Sequence, residues 1–208
     1  MIFKNRKEAG KLLAKKLLDY RNNPDVVVLG LPRGGVVLAR EIADEIKAPL
    51  DIVVPRKLGA PFSSELAIGA ITQDGNAVLN KDLIKELGVD EKYIKKEIEK
   101  EKKEALRRLE KYRFGKKPID LINKTIVLVD DGIATGYTMY AAIDFIKTKM
   151  PRKIIVAIPV LPYELVSDMK KITDELVYLD APGYFGAISS FYKEFKQTAD
   201  KEVVELMR

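Results

Sequence analysis

The chain has 208 residues, 47% of them hydrophobic and 33% charged, which suits one well-buried domain and excludes a disordered chain. It has no cysteine and no histidine, so disulfides, thiolate nucleophiles, imidazole metal sites and Ser-His-Asp triads are all excluded. What remains for chemistry is carboxylates, lysine, arginine, hydroxyls, backbone amides and a carboxylate-bound metal. The net charge of +6 favours an anionic partner without distinguishing a small phosphate from a nucleic acid. No apolar run reaches the roughly 18 residues of a membrane span, and charge follows Met1-Ile2-Phe3 at once, so a cytoplasmic protein without a membrane partner is expected.

In chain order, Asn5 is placed to cap a first helix striped by Leu12, Leu13, Leu17 and Leu18 and ended by Asn22-Asn23-Pro24. Asp25–Leu29 reads as a buried strand, followed by a glycine-rich turn over residues 30–35 and a helix over Val36–Lys47. Leu50–Val54 is a second buried strand. Pro55–Pro61 is rich in breakers and reads as a mobile loop. Ala67–Thr72 and Ala77–Leu79 flank Gln73-Asp74-Gly75-Asn76, an Asp-Gly hairpin signal. A short helix over Lys81–Leu87 precedes a long one from Glu91 to about Tyr112, with a narrow stripe of Ile94, Ile98, Ala105, Leu109 and Tyr112.

Thr125–Val129, Lys153–Val160 and Leu176–Leu179 complete the strands, with helices after Thr138 and over about Tyr163–Lys171. Strands alternating with helices predict an α/β fold, a doubly wound parallel sheet covered on both faces. The expected organisation is a single domain over residues 1–208. Its core covers about 1–180, with a helical insert over about 81–115 and a hood and tail over about 181–208. Ligands of such sheets bind beyond the carboxyl ends of the strands, so the loops at 30–35, 55–65 and 130–138 should converge.

The string Ile126-Val-Leu-Val-Asp-Asp-Gly-Ile-Ala-Thr-Gly-Tyr-Thr138 carries the chemistry. A buried strand ends in two carboxylates, and a short loop with hydroxyls and glycine leads straight into a helix. Amides at a helix N-terminus make a phosphate site. Acids beside such a site make sense if the ligand carries hydroxyls or Mg²⁺ next to its phosphate.

This string resembles the phosphoribosyl-pyrophosphate (PRPP) motif of the type I phosphoribosyltransferases. The resemblance covers positions 126–138 closely and the strand order along 25–180 loosely. It implies transfer of 5-phosphoribose from PRPP to a nitrogenous base, purine or pyrimidine, with release of pyrophosphate, as in nucleotide salvage. It implies that Asp130 and Asp131 hold the ribose hydroxyls, and Mg²⁺ through water. It implies that Ala134, Thr135, Gly136, Tyr137 and Thr138 surround the 5-phosphate. A homodimer is usual for the family.

In the same resemblance, Leu31-Pro32-Arg33-Gly34-Gly35 takes the place of the pyrophosphate loop, where Arg33 offers a fixed fork and Gly34 lets amides approach. Arg56 and Lys57 take the place of a mobile lid that neutralises the leaving group. Glu65, after Ser63-Ser64, reads either as a substrate-facing acid or as a surface acid at the start of a hairpin. Ala134 stands where 6-oxopurine members carry an acid, which argues against that base mechanism and leaves the acceptor open. Five aromatics fall within residues 184–195. Tyr184 and Phe185 are the base-contact candidates, whereas Phe191 and Phe195 are expected to anchor the tail.

A non-catalytic PRPP-sensing module is the alternative, and retention of Arg33 and Arg56-Lys57 favours the enzyme. Residues 91–113 hold ten Lys/Arg against six Glu, a net +4. Those interleaved glutamates favour a solvated structural helix over a nucleic-acid surface. No G-x-x-x-x-G-K-[ST] string exists, which excludes a P-loop nucleotidase.

Overall fold

The structure, a computed structural model, describes residues 1–208 apart from the side chains of Ser64 and Glu65. The central sheet contains β1 (Val26–Gly30), β2 (Leu50–Ile52), β6 (Thr125–Val129), β7 (Lys153–Val160) and β8 (Glu175–Asp180), in the order β2-β1-β6-β7-β8. All neighbours are parallel. From β1 the chain moves outward to β2, and β6 returns to β1's other side. The order therefore reverses between β1 and β6, and a crevice opens at their carboxyl ends.

Alternation along the strands explains the two layers. Val26, Val28, Val127, Val129, Ile155 and Ala157 face α1 (Arg6–Lys16) and α2 (Gly34–Ile46). Val27, Leu29, Ile126, Leu128, Ile154 and Val156 face α5 (Tyr137–Lys147) and α6 (Tyr163–Ile172). A strand buried on both faces must be apolar at every position, which is why these segments read as unbroken runs. In α1 the Asn5 side chain accepts from the Glu8 amide, as the cap requires. Its buried face is Ala9, Gly10, Leu13 and Ala14, and Leu18 is exposed beyond the helix end.

Between β2 and β6 the chain builds a second sheet, antiparallel, of β3 (Arg56–Ala60), β4 (Ser63–Ile71) and β5 (Ala77–Leu79). The expected hairpin forms, pairing Ile71 with Ala77 and Gly69 with Leu79. The expected loop at 55–61 does not. Residues 56–60 pair with β4, because buried Leu58 and Ala60 join Ile68 and Ile71 in a small core of their own. The breakers there mark irregular register, with shifts around Gly59, rather than a missing strand. The excursion thus starts before the helical insert expected over 81–115.

α3 (Lys81–Glu86) and α4 (Glu91–Arg113) follow. Ile94 and Ile98 of α4 cover the small core, while Ala105, Leu109 and Tyr112 pack with α7 (Asp200–Leu206) and Ile52. The tail returns across the main core through Tyr192, Phe191 and Phe195. No helix of the described residues is long and apolar enough to cross a membrane.

Candidate functional site

Two loops face each other at the reversal point of the sheet. One leaves β1 as Leu31-Pro32-Arg33 and enters α2 directly, with Gly34 and Gly35 in its first turn rather than in a separate turn. The Pro32–Arg33 peptide is cis. The other leaves β6 as Asp130-Asp131-Gly132 and enters α5 after Gly136. The two are tied by the Leu31 amide, which donates to the Val129 carbonyl at 2.9 Å. A Cβ on Gly35 would lie 2.7 Å from that carbonyl oxygen and 2.8 Å from Asp130 Cα, so only glycine allows this approach.

Gly136 is the N-cap of α5 and adopts φ +85°, a left-handed conformation that side chains rarely take. It swings the chain into the helix, so the amides of the first turn and the exposed Thr135 lie at the positive end of an 11-residue helix. A cavity of about 240 Å³ opens between the two loops. Arg33, Gly34, Lys57, Asp130, Asp131, Ala134, Thr135, Gly136 and Thr138 all line it, joined by Pro55 and Ile188.

The acids are held unequally. Asp130 accepts from the Asp131 amide at 2.8 Å. Burial, and then the neighbouring Asp131 carboxylate, push its carboxyl well above the ordinary carboxylate range. Oδ2 of Asp131 accepts from Arg6 Nε at 2.7 Å, and its backbone carbonyl accepts from the Tyr192 hydroxyl at 2.7 Å. Burial raises the Tyr192 phenol far above its usual range, so it remains a donor. Among the described residues no three carboxylates, histidines or cysteines cluster as a metal cage. Two adjacent carboxylates fit a hard cation that keeps most of its oxygen ligands from water and substrate.

The family model described as the phosphoribosyl transferase domain matches residues 1–181. The chain belongs to the phosphoribosyl transferase domain family. Proteins from two strains of Mycobacterium tuberculosis, provisionally named phosphoribosyl transferases, are 42% identical over 206 residues, 99% of this chain. That is 46% of each relative, so the chain spans about half the length of the curated relatives it matches. A crystal structure of TT1426 from Thermus thermophilus is 37% identical, covers 100% of this chain and 98% of its own, and superposes with a TM-score of 0.81. The AQ2163 protein from Aquifex aeolicus shares the fold alone, at 12% identity and a TM-score of 0.54 over 85% of this chain and 74% of its own.

Set against the family pattern, most expected site residues meet in one cavity, and four side chains do not. Arg56 and Lys57 lie on opposite faces of β3, as strand geometry demands. Lys57 lines the cavity, whereas Arg56 turns to α4 and bonds the buried Glu101 carboxylate at 2.7 Å. Tyr137 meets Tyr140 edge-on and is no part of the cavity wall. Tyr184 is 90% exposed, and Phe185 stacks on Phe191 with ring centroids 5.1 Å apart. The Glu65 side chain lies outside the described residues.

Arg6 and Tyr192 escaped the sequence reading. They stand 125 and 61 residues from Asp131, and no local pattern marks a side chain that reaches a site through tertiary packing. The lone arginine at the start of a capped helix was the available signal.

Proposed function

We propose that this chain transfers 5-phosphoribose from PRPP to a nitrogenous base and releases pyrophosphate. The observation that carries the reading is the shared cavity. The anion-binding start of α5, the paired acids and the Arg33–Gly34 turn bound one space. In it the amides from Ala134 to Thr138, with the Thr135 and Thr138 hydroxyls, receive the 5-phosphate. Asp130 and Asp131 receive the ribose hydroxyls, and Arg33 and Lys57 meet the pyrophosphate.

In the reaction the bond from ribose C1 to the pyrophosphate oxygen breaks, and pyrophosphate leaves with the electron pair. A bond from base nitrogen to C1 forms, and the nitrogen's proton passes to solvent. Cleavage running ahead of attack leaves the protein two tasks, positioning and stabilising departing charge. Mg²⁺ held at Asp130 and Asp131 would supply further positive charge to the leaving group. Ala134 offers no acid for a purine N7, so any acceptor is recognised by other groups.

The test is pyrophosphate release from PRPP and Mg²⁺ with adenine, guanine, hypoxanthine, uracil and orotate in turn. Release that depends on one of these bases and disappears in Asp131→Asn is expected. PRPP binding without release for every base would overturn the transferase reading in favour of a sensor.

A further inference from the structure

A second and larger cavity, about 680 Å³, lies on the α5 face of the sheet beside edge strand β2, and shares no lining residue with the phosphate cavity. It sits by the carboxyl end of α5, and the phosphate cavity by its amino end. The helix between them is about 16 Å long at 1.5 Å per residue. Its walls include Leu29, Val53, Leu109, Leu121, Phe145 and Met150. Its volume falls within the roughly 300–1,000 Å³ of small-molecule sites.

The polar groups in it are specific. Gln73 is only 8% exposed, and its side-chain carbonyl accepts from the Val54 amide at 3.2 Å. An amide donor can be met only by the carbonyl oxygen, so the orientation of Gln73 is fixed and its NH₂ is left over. No described residue accepts from that NH₂, although Gln73 lines the cavity. That NH₂ is not sealed from solvent, so water or a ligand acceptor beside it meets the donor.

The neighbouring charges narrow the occupant. Asp51 is neutralised, taking both arms of the Arg113 fork at 2.9 and 3.0 Å and the Ile119 amide at 3.1 Å. At the rim stand the exposed Asp74 and Asp120 carboxylates and the negative carbonyl end of α5. The rim cation Lys149 lies 4.7 Å over the Phe145 ring. A phosphate placed at this rim would meet two carboxylates and a helix carboxyl end against the single cation of Lys149.

We propose that this cavity is a second binding site, for an uncharged flat heterocycle whose carbonyl or ring nitrogen accepts from the Gln73 NH₂. The class is that of a free nucleobase or nucleoside and excludes the nucleotide. The apolar walls take the ring, Gln73 fixes its orientation, and the acidic rim rejects a phosphate. This reading does not depend on the activity proposed for the phosphate cavity.

The test is equilibrium binding of adenine, guanine, uracil, adenosine, guanosine, uridine and the three nucleoside 5′-monophosphates to the full chain and two variants. Gln73→Glu keeps an oxygen for the Val54 amide and replaces the donor. Thr148→Trp blocks the cavity from an exposed position at the end of α5. At least one base or nucleoside should bind, and each variant should weaken it about tenfold or more, as loss of one hydrogen bond or of the space implies. Any monophosphate binding should be untouched by Thr148→Trp. Binding of no base or nucleoside, or binding indifferent to both variants, would overturn the proposal. If Gln73→Glu fails to fold, Thr148→Trp decides alone. Self-association lost in Thr148→Trp, with no small molecule bound, would also overturn it, in favour of a contact between chains.

Discussion

Arg6 Nε and Asp131 Oδ2 stand 2.7 Å apart and join the first helix of the chain to the end of β6. Both side chains are largely buried, at 11% and 13% exposure. The guanidinium is itself fixed, with Nη1 on the Lys196 carbonyl at 2.7 Å and its plane 3.8 Å over the Phe195 ring. Asp131 therefore meets any ligand with Oδ2 already committed to Arg6. Replacing Arg6 by glutamine leaves a largely buried carboxylate without its counter-charge. We expect a loss of about 2–3 kcal/mol in urea unfolding, toward the low end for buried pairs because neither group is wholly enclosed. PRPP affinity should fall with it. A folded Arg6→Gln protein that binds PRPP as tightly as the parent would remove Arg6 from the site.

Gly34 makes that pairing possible. A Cβ there would lie 2.0 Å from Asp131 Oδ2 and 2.8 Å from Arg6 Nε. In an ordinary helix position, glycine to alanine stabilises by about 0.5–1 kcal/mol. Here the methyl must expel the carboxylate, so Gly34→Ala is expected to lower the melting temperature and weaken PRPP at least as much as Asp131→Asn does. Calorimetric titration of both variants side by side tests this, and an alanine variant that melts higher and binds normally would refute it.

Arg56 and Lys57 are neighbours with different work. Lys57 lines the cavity between the two loops and makes no ion pair among the described residues, so on the proposed function Lys57→Ala should raise KM for PRPP and leave the melting temperature nearly unchanged. Arg56 faces Glu101, which is 6% exposed, and Arg56→Ala should cost stability instead, about 2 kcal/mol, since Lys100 at 3.4 Å offers partial replacement. Arg33→Ala belongs with Lys57. It should weaken pyrophosphate more than ribose 5-phosphate, and equal losses would take Arg33 out of the leaving-group contacts.

The sheet and the loop over residues 130–138 were legible because their physics is local. Thr125–Val129 is apolar at every position since both faces are covered, and Gly136 and Thr138 belong to a helix start that any reader of 130–138 would meet in order. Residues 56–60 were misread because the partner that makes them a strand, β4, is recognised only once Leu58 and Ile68 share a core. The division of labour between Arg56 and Lys57 follows from strand alternation, so it became visible only after that strand was known. Arg6, Tyr192 and the Gln73 cavity are products of tertiary packing, and nothing within ten residues of any of them announces its partner.

Asp200 carries a pH signature outside the cavity. It accepts from Lys111 Nζ at 2.8 Å and from the Tyr112 hydroxyl at 2.7 Å, and stands 3.6 Å from Arg33. The Lys111 hydrogen bond, then that of Tyr112, lowers its carboxyl from the ordinary 3.8 to about 2. A carboxyl depressed by folding stabilises the native state above its unfolded value, and that contribution fades as pH falls through the folded one. The stabilisation should therefore be complete above pH 3.8 and lost by about pH 2. Asp200→Asn should flatten the acid limb of the stability curve across that window and lower stability at neutral pH, where α7 loses its charged tie to α4. Urea unfolding of both proteins at intervals of pH checks it: parallel acid limbs would mean that Asp200 is ionised alike in the folded and unfolded chains, and that Lys111 and Tyr112 do not hold it.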